Sequence, residues 1–124
     1  MEIDPRYAKA RNNLGVWYTD GGEPTKALEE FRLAIESDPT LADAYSNRGI
    51  ALMNQKDIDG AIAEFRTAIT IRPTFAQARI NLADALGRKG LFEEGLREYK
   101  RAFELAPQLL DGLPEIRRAL DLTP

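Results

Sequence analysis

Residues 42–75 read ADAYSNRGIALMNQKDIDGAIAEFRTAITIRPTF, and a matching frame stands 34 residues earlier and again 34 residues later. Proline closes the frame at Pro39, Pro73 and Pro107, and Pro5 keeps the same spacing at the N-terminal end. A fixed period of this length marks a stacked repeat with two helices per unit. With Ala8 as position 1, the units are 8–41, 42–75 and 76–109. Small residues align at Ala8, Ala42 and Ala76, at Ala10, Ala44 and Ala78, and at Ala34, Ala68 and Ala102. Large aromatic residues align at Phe31, Phe65 and Tyr99.

Each unit reads as two helices. The first spans roughly positions 1–14, with apolar residues at helical spacing, as in Leu14, Trp17 and Tyr18. Turns follow at Gly21-Gly22-Glu23-Pro24, Gln55-Lys56-Asp57 and Lys89-Gly90. Pro24 suits the first turn of the second helix, where its missing N–H has no partner to lose. That helix carries Ala27, Leu28, Phe31, Ala34 and Ile35 as one apolar stripe. It should end before the proline, because the preceding residue is pushed out of helical geometry. Units one and two place glycine in the first helix and alanine in the second (Gly15 with Ala27, Gly49 with Ala61). Unit three reverses them as Ala83 and Gly95. The reversal predicts that these positions touch, so Gly95→Ala should destabilise more than helix propensity suggests.

These positions resemble the tetratricopeptide repeat. Unit one supplies Leu14-Gly15, Tyr18, Ala27, Phe31, Ala34 and Pro39. Unit two supplies Tyr45, Gly49, Leu52, Ala61, Phe65, Ala68 and Pro73, and unit three Leu82, Ala83, Leu86, Gly95, Tyr99, Ala102 and Pro107. The match covers 8–109. It implies an all-α fold, an α-solenoid of three helix-turn-helix repeats in a right-handed superhelix, serving as a non-catalytic interaction scaffold. Arg11 and Arg79 depart from the pattern where the family has a large apolar residue, and Arg48 replaces the leucine before glycine. Arginine stems still cover apolar surface.

The ends are read from the same frame. Leu113, Ile116, Ala119 and Leu120 fall at first-helix positions, with Arg117 in place of glycine. A capping helix is therefore expected within 110–124, showing Arg117 and Arg118 to water. Ile3-Asp4-Pro5 matches the close of a unit, so residues 1–7 read as the tail of a missing preceding repeat. Trp17 takes the position of Ala51 and Ala85. With no second helix before it, Trp17 lies with Ala10 and Leu14 on an uncovered face, unless residues 1–7 fold back over it.

Composition narrows the function classes. At 44% apolar and 30% charged, the 124 residues fit one globular domain. A net charge of −3 with interspersed signs argues against nucleic acid. No apolar run reaches the ~18 residues of a membrane span. The acidic start Met1-Glu2-Ile3-Asp4 shows no leader, and a cytoplasmic location is expected. Without cysteine or histidine the chain lacks a thiol nucleophile, a disulfide and the commonest general base and metal ligand. It has no glycine-rich phosphate loop. Glu29-Glu30 and Glu93-Glu94 sit on amphipathic helices, so neither an enzyme nor a cofactor or metal site is expected.

What remains is binding. Positions 2, 6, 9 and 13 share one helical face. They hold Lys9, Asn13, Val16 and Asp20, then Asp43, Asn47, Ile50 and Asn54, then Gln77, Asn81, Asp84 and Arg88. Position 5 lies beside them with Asn12, Ser46 and Ile80. A carboxamide offers two donors and an acceptor, which match the main chain of an extended peptide. Asn13, Asn47 and Asn81 resemble the asparagine ladder of the long tetratricopeptide arrays attached to protein O-glycosyltransferases. Asp84 stands like the acidic residues beside that ladder, although Val16 and Ile50 break any acidic row. A solvated consensus amide fits the same column, and a ladder requires all three amides to face the groove unpaired. The family's two-carboxylate clamp for chaperone tails is matched only by Asn47, against Asn12, Val16, Gln77 and Asn81 elsewhere. Without cations, tight binding of acidic C-terminal tails is not expected. Glu30, Glu64 and Glu98, and Arg32, Arg66 and Lys100, read as solvated columns on the outer helices. The expected partner is a protein or peptide. The rival is a homo-oligomer, in which Ala10, Leu14 and Trp17 stack head-to-tail on the capping helix of the next molecule.

Overall fold

The computed structural model describes residues 4–112 and 114–121. Six helices pair in chain order: α1 (Pro5–Asp20) with α2 (Pro24–Ser37), α3 (Ala42–Asn54) with α4 (Ile58–Ile71), and α5 (Ala76–Arg88) with α6 (Phe92–Leu105). A 3-10 segment, Pro107–Gly112, then leads to α7 (Pro114–Asp121). The pairs stack through α2 on α3 and α4 on α5, while α1, α3 and α5 lie side by side. This is the all-α array of three repeats that the period predicts.

Turn chemistry repeats with the period. Position 15 adopts positive φ in every unit, at Gly22 (74°), Lys56 (65°) and Gly90 (88°). The next N–H then reaches back five residues, from Glu23 to Tyr18, Asp57 to Leu52 and Leu91 to Leu86, each at 2.9 Å. This bond occupies a carbonyl that the helix end leaves free. Lys56 holds that backbone without glycine's freedom. At the far end of each pair, Asp38, Arg72 and Ala106 leave helical geometry, with φ of −142°, −133° and −145°, just before the prolines.

Pro5 has a different role from Pro39 and Pro73, which lie in turns between helices. It is the first residue of α1, and the Asp4 carboxylate accepts from the N–H groups of Arg6 and Tyr7 at 3.1 and 3.2 Å. Residues 5–7 therefore extend α1 ahead of Ala8 instead of closing a preceding unit or folding back over Trp17. Ile3 lies outside the described residues. At the other end α7 begins at Pro114, within the stretch where a capping helix is expected. Leu109 and Leu120 pack toward Ile80, Ala102 and Phe103, and Arg118 is exposed. Leu113 and the side chains of Ile116, Arg117 and Ala119 lie outside the described residues.

The glycine positions make room for rings. A Cβ on Gly15 would lie 2.4 Å from Cε1 of Phe31, and one on Gly49 2.6 Å from Cε1 of Phe65. Both rings are fully buried. The nearest neighbours of these glycines are thus ring atoms, in place of the expected Ala27 and Ala61. In unit three Ala83 fills the glycine position. The Tyr99 ring there is half-buried, stacks on Phe103 with centroids 5.8 Å apart, and donates its hydroxyl to Asp84. Gly95 does meet Ala83, with a Cβ position 3.0 Å from the Ala83 carbonyl oxygen. In unit three the expected contact is therefore present.

The three arginine departures have one cause. Arg11 pairs with Glu30 at 3.0 Å, Arg48 with Glu64 at 2.7 Å, and Arg79 with Glu98 at 3.1 Å. Each pair ties the first helix of a repeat to its second. The glutamate side chains keep only 14%, 17% and 23% of their exposure, so this column is not the solvated face expected. Arginine occupies position 4 in units one and three, beside Leu14 and Leu82 at position 7. Unit two exchanges them, with Tyr45 at 4 and Arg48 at 7. Positions three apart share a helix face, so either one reaches the same acid. Arg79 also donates to the Pro73 carbonyl at 3.2 and 3.0 Å, fixing the α4–α5 connection. Arg32 is exposed as expected and pairs with Glu29 and Glu36 on its own helix. Arg66 reaches Glu94 in the next repeat at 2.7 Å.

Candidate peptide-binding groove

The groove positions sit on α1, α3 and α5. Position 5 turns toward the following repeat and is buried, at 8% for Asn12, 3% for Ser46 and 8% for Ile80. Asn12 therefore lies beneath the groove rather than on its surface. Its carbonyl accepts from Asn47 Nδ2 at 3.0 Å, across α1 and α3. In the last repeat Asn81 Oδ1 accepts from Gln77 Nε2 at 3.2 Å. Asn13 is exposed. The three column amides are not alike, because Asn47 and Asn81 are held by protein. Asn47 still keeps one N–H and its carbonyl, and Asn81 its NH₂ and one lone pair.

Neighbouring positions divide by partner. Val16 and Ile50 line a crevice of about 70 Å³ with Thr19, Asp20, Phe31 and Asn47. Asp43 is engaged by Arg72 at 2.8 Å, whose guanidinium lies 3.9 Å from the Phe75 ring centroid. Asp84 accepts the Tyr99 hydroxyl. Burial first, and then this bond to the carboxylate, raises the Tyr99 pKa well above the ordinary phenol value. Lys9, Asp20, Asn54, Gln77 and Arg88 are exposed.

The expected self-association face is open. Ala44, Ala51, Ala78 and Ala85 are fully buried under the preceding second helix. At the matching positions of α1, Ala10 is exposed and Trp17 is 69% exposed, and Leu14, at position 7 between them, is 40% exposed. Sequence reasoning missed the part-buried arginine–glutamate pairs, although an acid at position 23 of every unit is their visible signal. It also missed a cleft of about 420 Å³ at the α1–α2 turn, lined by Trp17, Tyr18, Asp20, Gly21 and Glu23. Among the described residues no group of acids is placed to hold a metal ion, and no helix is long and apolar enough to cross a membrane.

Comparison with known families decides the relationship. Tetratricopeptide repeat models match residues 42–75 and 76–109, and a TPR repeat model matches 17–56. The chain is a tetratricopeptide repeat protein. Among solved structures it is similar to MamA, at 28% identity over 85% of this chain, with a TM-score of 0.77. It spans 61% of that MamA chain. It is also similar to the first TPR of Spaghetti (RPAP3) bound to the HSP90 peptide SRMEEVD, at 22% identity over 96% of this chain and 97% of that one, with a TM-score of 0.83. The Arabidopsis OM64 TPR domain aligns at 20% identity over 83% of this chain and 85% of that one, with a TM-score of 0.80. At these last two identities the likeness is one of fold. No curated protein sequence shows a significant match.

Proposed function

We propose that this tetratricopeptide array binds an extended peptide segment of a partner protein along α1, α3 and α5. Such arrays are interaction modules and typically non-catalytic. The observation that carries the reading is Asn47. Its amide is fixed by buried Asn12, and Asn47 lines the crevice together with Val16 and Ile50. A donor–acceptor pair beside apolar surface suits one peptide unit and its neighbouring side chain. Asn13 and Asn81 continue the amide row. Asn47 and Asn81 are oriented in advance by their protein partners, so the row is not the fully unpaired ladder of the O-glycosyltransferase arrays. Preorganisation of this kind lowers the entropic cost of binding.

The partner segment does not end in an acidic tail. The HSP90 peptide belongs to the RPAP3 complex. The corresponding positions here are Asn12, Val16, Asn47, Gln77 and Asn81, which supply no cation to a terminal carboxylate. Titration calorimetry with an acidic C-terminal peptide should show no tight binding. Capture of partners by the wild type and by the Asn13→Ala, Asn47→Ala, Asn81→Ala variant tests the groove. The variant should lose partners that the wild type retains, and identical captures would overturn the reading.

A second reading rests on the exposed Leu14 and Trp17. Contiguous exposed apolar surface favours association. Here a second copy docks head-to-tail on this face. Sedimentation at several concentrations checks it: wild-type oligomers should disappear in Trp17→Ala while peptide capture persists. A wild type that stays monomeric at every concentration rejects it.

A further inference from the structure

We propose that the cleft at the α1–α2 turn receives the guanidinium of an arginine in the bound peptide. Two rings form one wall: Trp17 and Tyr18 meet edge-on, with centroids 5.3 Å apart and planes at 68°. The indole is 69% exposed. Two carboxylates, Asp20 and Glu23, complete the lining. Aromatic faces beside carboxylates attract cations, and the C-terminal end of α1 adds the negative pole of its dipole.

The chain already places one cation on this combination. Lys26 Nζ sits 5.7 Å from the Tyr18 ring centroid and 3.2 Å from a Glu23 carboxylate oxygen. That cation serves Tyr18 and Glu23. The Trp17 face and the Asp20 carboxylate have no such occupant among the described residues. A planar guanidinium can stack on an indole while its N–H fork meets a carboxylate, and a lysine ammonium cannot do both as well.

That the arginine comes from a peptide rests on the groove reading. Asp20 lines both this cleft and the crevice beside Asn47. A segment held at Asn47 therefore has the cleft within reach at the α1–α2 end.

Trp17 is the single tryptophan of the chain, so its emission reports on the cleft directly. The probe is N-acetyl-arginine-amide, against the citrulline analogue of nearly equal shape and no charge. Arginine should change the emission saturably. Asp20→Asn, with unchanged circular dichroism, should weaken the response about fivefold. An equal response to citrulline, no response to arginine, or an unaltered response in Asp20→Asn would overturn the proposal. Asn47→Ala should leave this small-molecule titration unchanged. If the blocked arginine fails while partner capture still depends on Asn47, the cleft proposal falls and the groove reading stands.

Discussion

Adding one methyl group at Gly49 tests the packing logic of the repeat. The new Cβ would sit 2.6, 2.9 and 2.9 Å from Cε1, Cδ1 and Cζ of Phe65. Ordinary contact begins at 3.4 Å, so the ring must retreat by about 0.8 Å (3.4 − 2.6). It has nowhere to go, because Phe65 is fully buried among Ala61, Ile62, Leu82, Ala85 and Leu86. Overpacking of this kind costs ~1–3 kcal/mol, and helix propensity returns about 1 kcal/mol. Given three sub-contact distances to a rigid ring, Gly49→Ala should lose roughly 1–2 kcal/mol net. Urea unfolding followed by circular dichroism reads this as a lower midpoint at unchanged slope. Gly87→Ala is the internal control, since nothing lies within 4 Å of its Cβ position. It should gain up to ~1 kcal/mol. Trimming the ring with Phe65→Leu in the Gly49→Ala background should cost less than the two changes summed. A Gly49→Ala protein as stabilised as Gly87→Ala would refute the argument.

Four further outcomes follow from the same geometry. Gly95→Ala places a Cβ 3.0 Å from the Ala83 carbonyl oxygen, so the ~1 kcal/mol expected from propensity should be absent from the unfolding midpoint. Lys56→Gly removes a side chain from φ of 65° and should raise stability by about 1 kcal/mol in urea unfolding. Glu98→Gln takes the ionised partner from Arg79, whose side chain is only 11% exposed, and should cost about 1–2 kcal/mol by the same assay. Tyr99 has its folded pKa raised by burial and by donation to Asp84. Its stabilising term is fully present below the unfolded phenol pKa of ~10 and fades as pH rises beyond it. The stability gap between wild type and Tyr99→Phe should therefore hold up to about pH 9 and narrow as pH rises above about 10, and a gap that stays constant at higher pH would contradict the assignment.

The period made the helices, turns and repeat borders legible, because each depends on local residues such as Pro24, Gly22 and the residue before each proline. Pro5 misled for the same local reason: Asp4 caps a helix there, and capping overrides the periodic position. The arginine–glutamate pairs stayed hidden because arginine alternates between positions 4 and 7, leaving no column to align. The glycine contacts were ambiguous. Both Ala27/Gly95 and Phe31/Tyr99 change together with the first-helix glycine, and only distance separates them. For the proposed groove, spacing places Asn13, Asn47 and Asn81 in one column of the first helices. The state of each amide was not legible, because Asn47 is set by a buried side chain of the neighbouring repeat.

The amide of Asn47 is where the account is most exposed to test. Extended peptides selected from a random library on the wild-type protein can be titrated against wild type and Asn47→Ala side by side. Kd should rise about tenfold in Asn47→Ala, as for the loss of one well-placed hydrogen-bonding group. An unchanged Kd would show that the peptide does not use this groove.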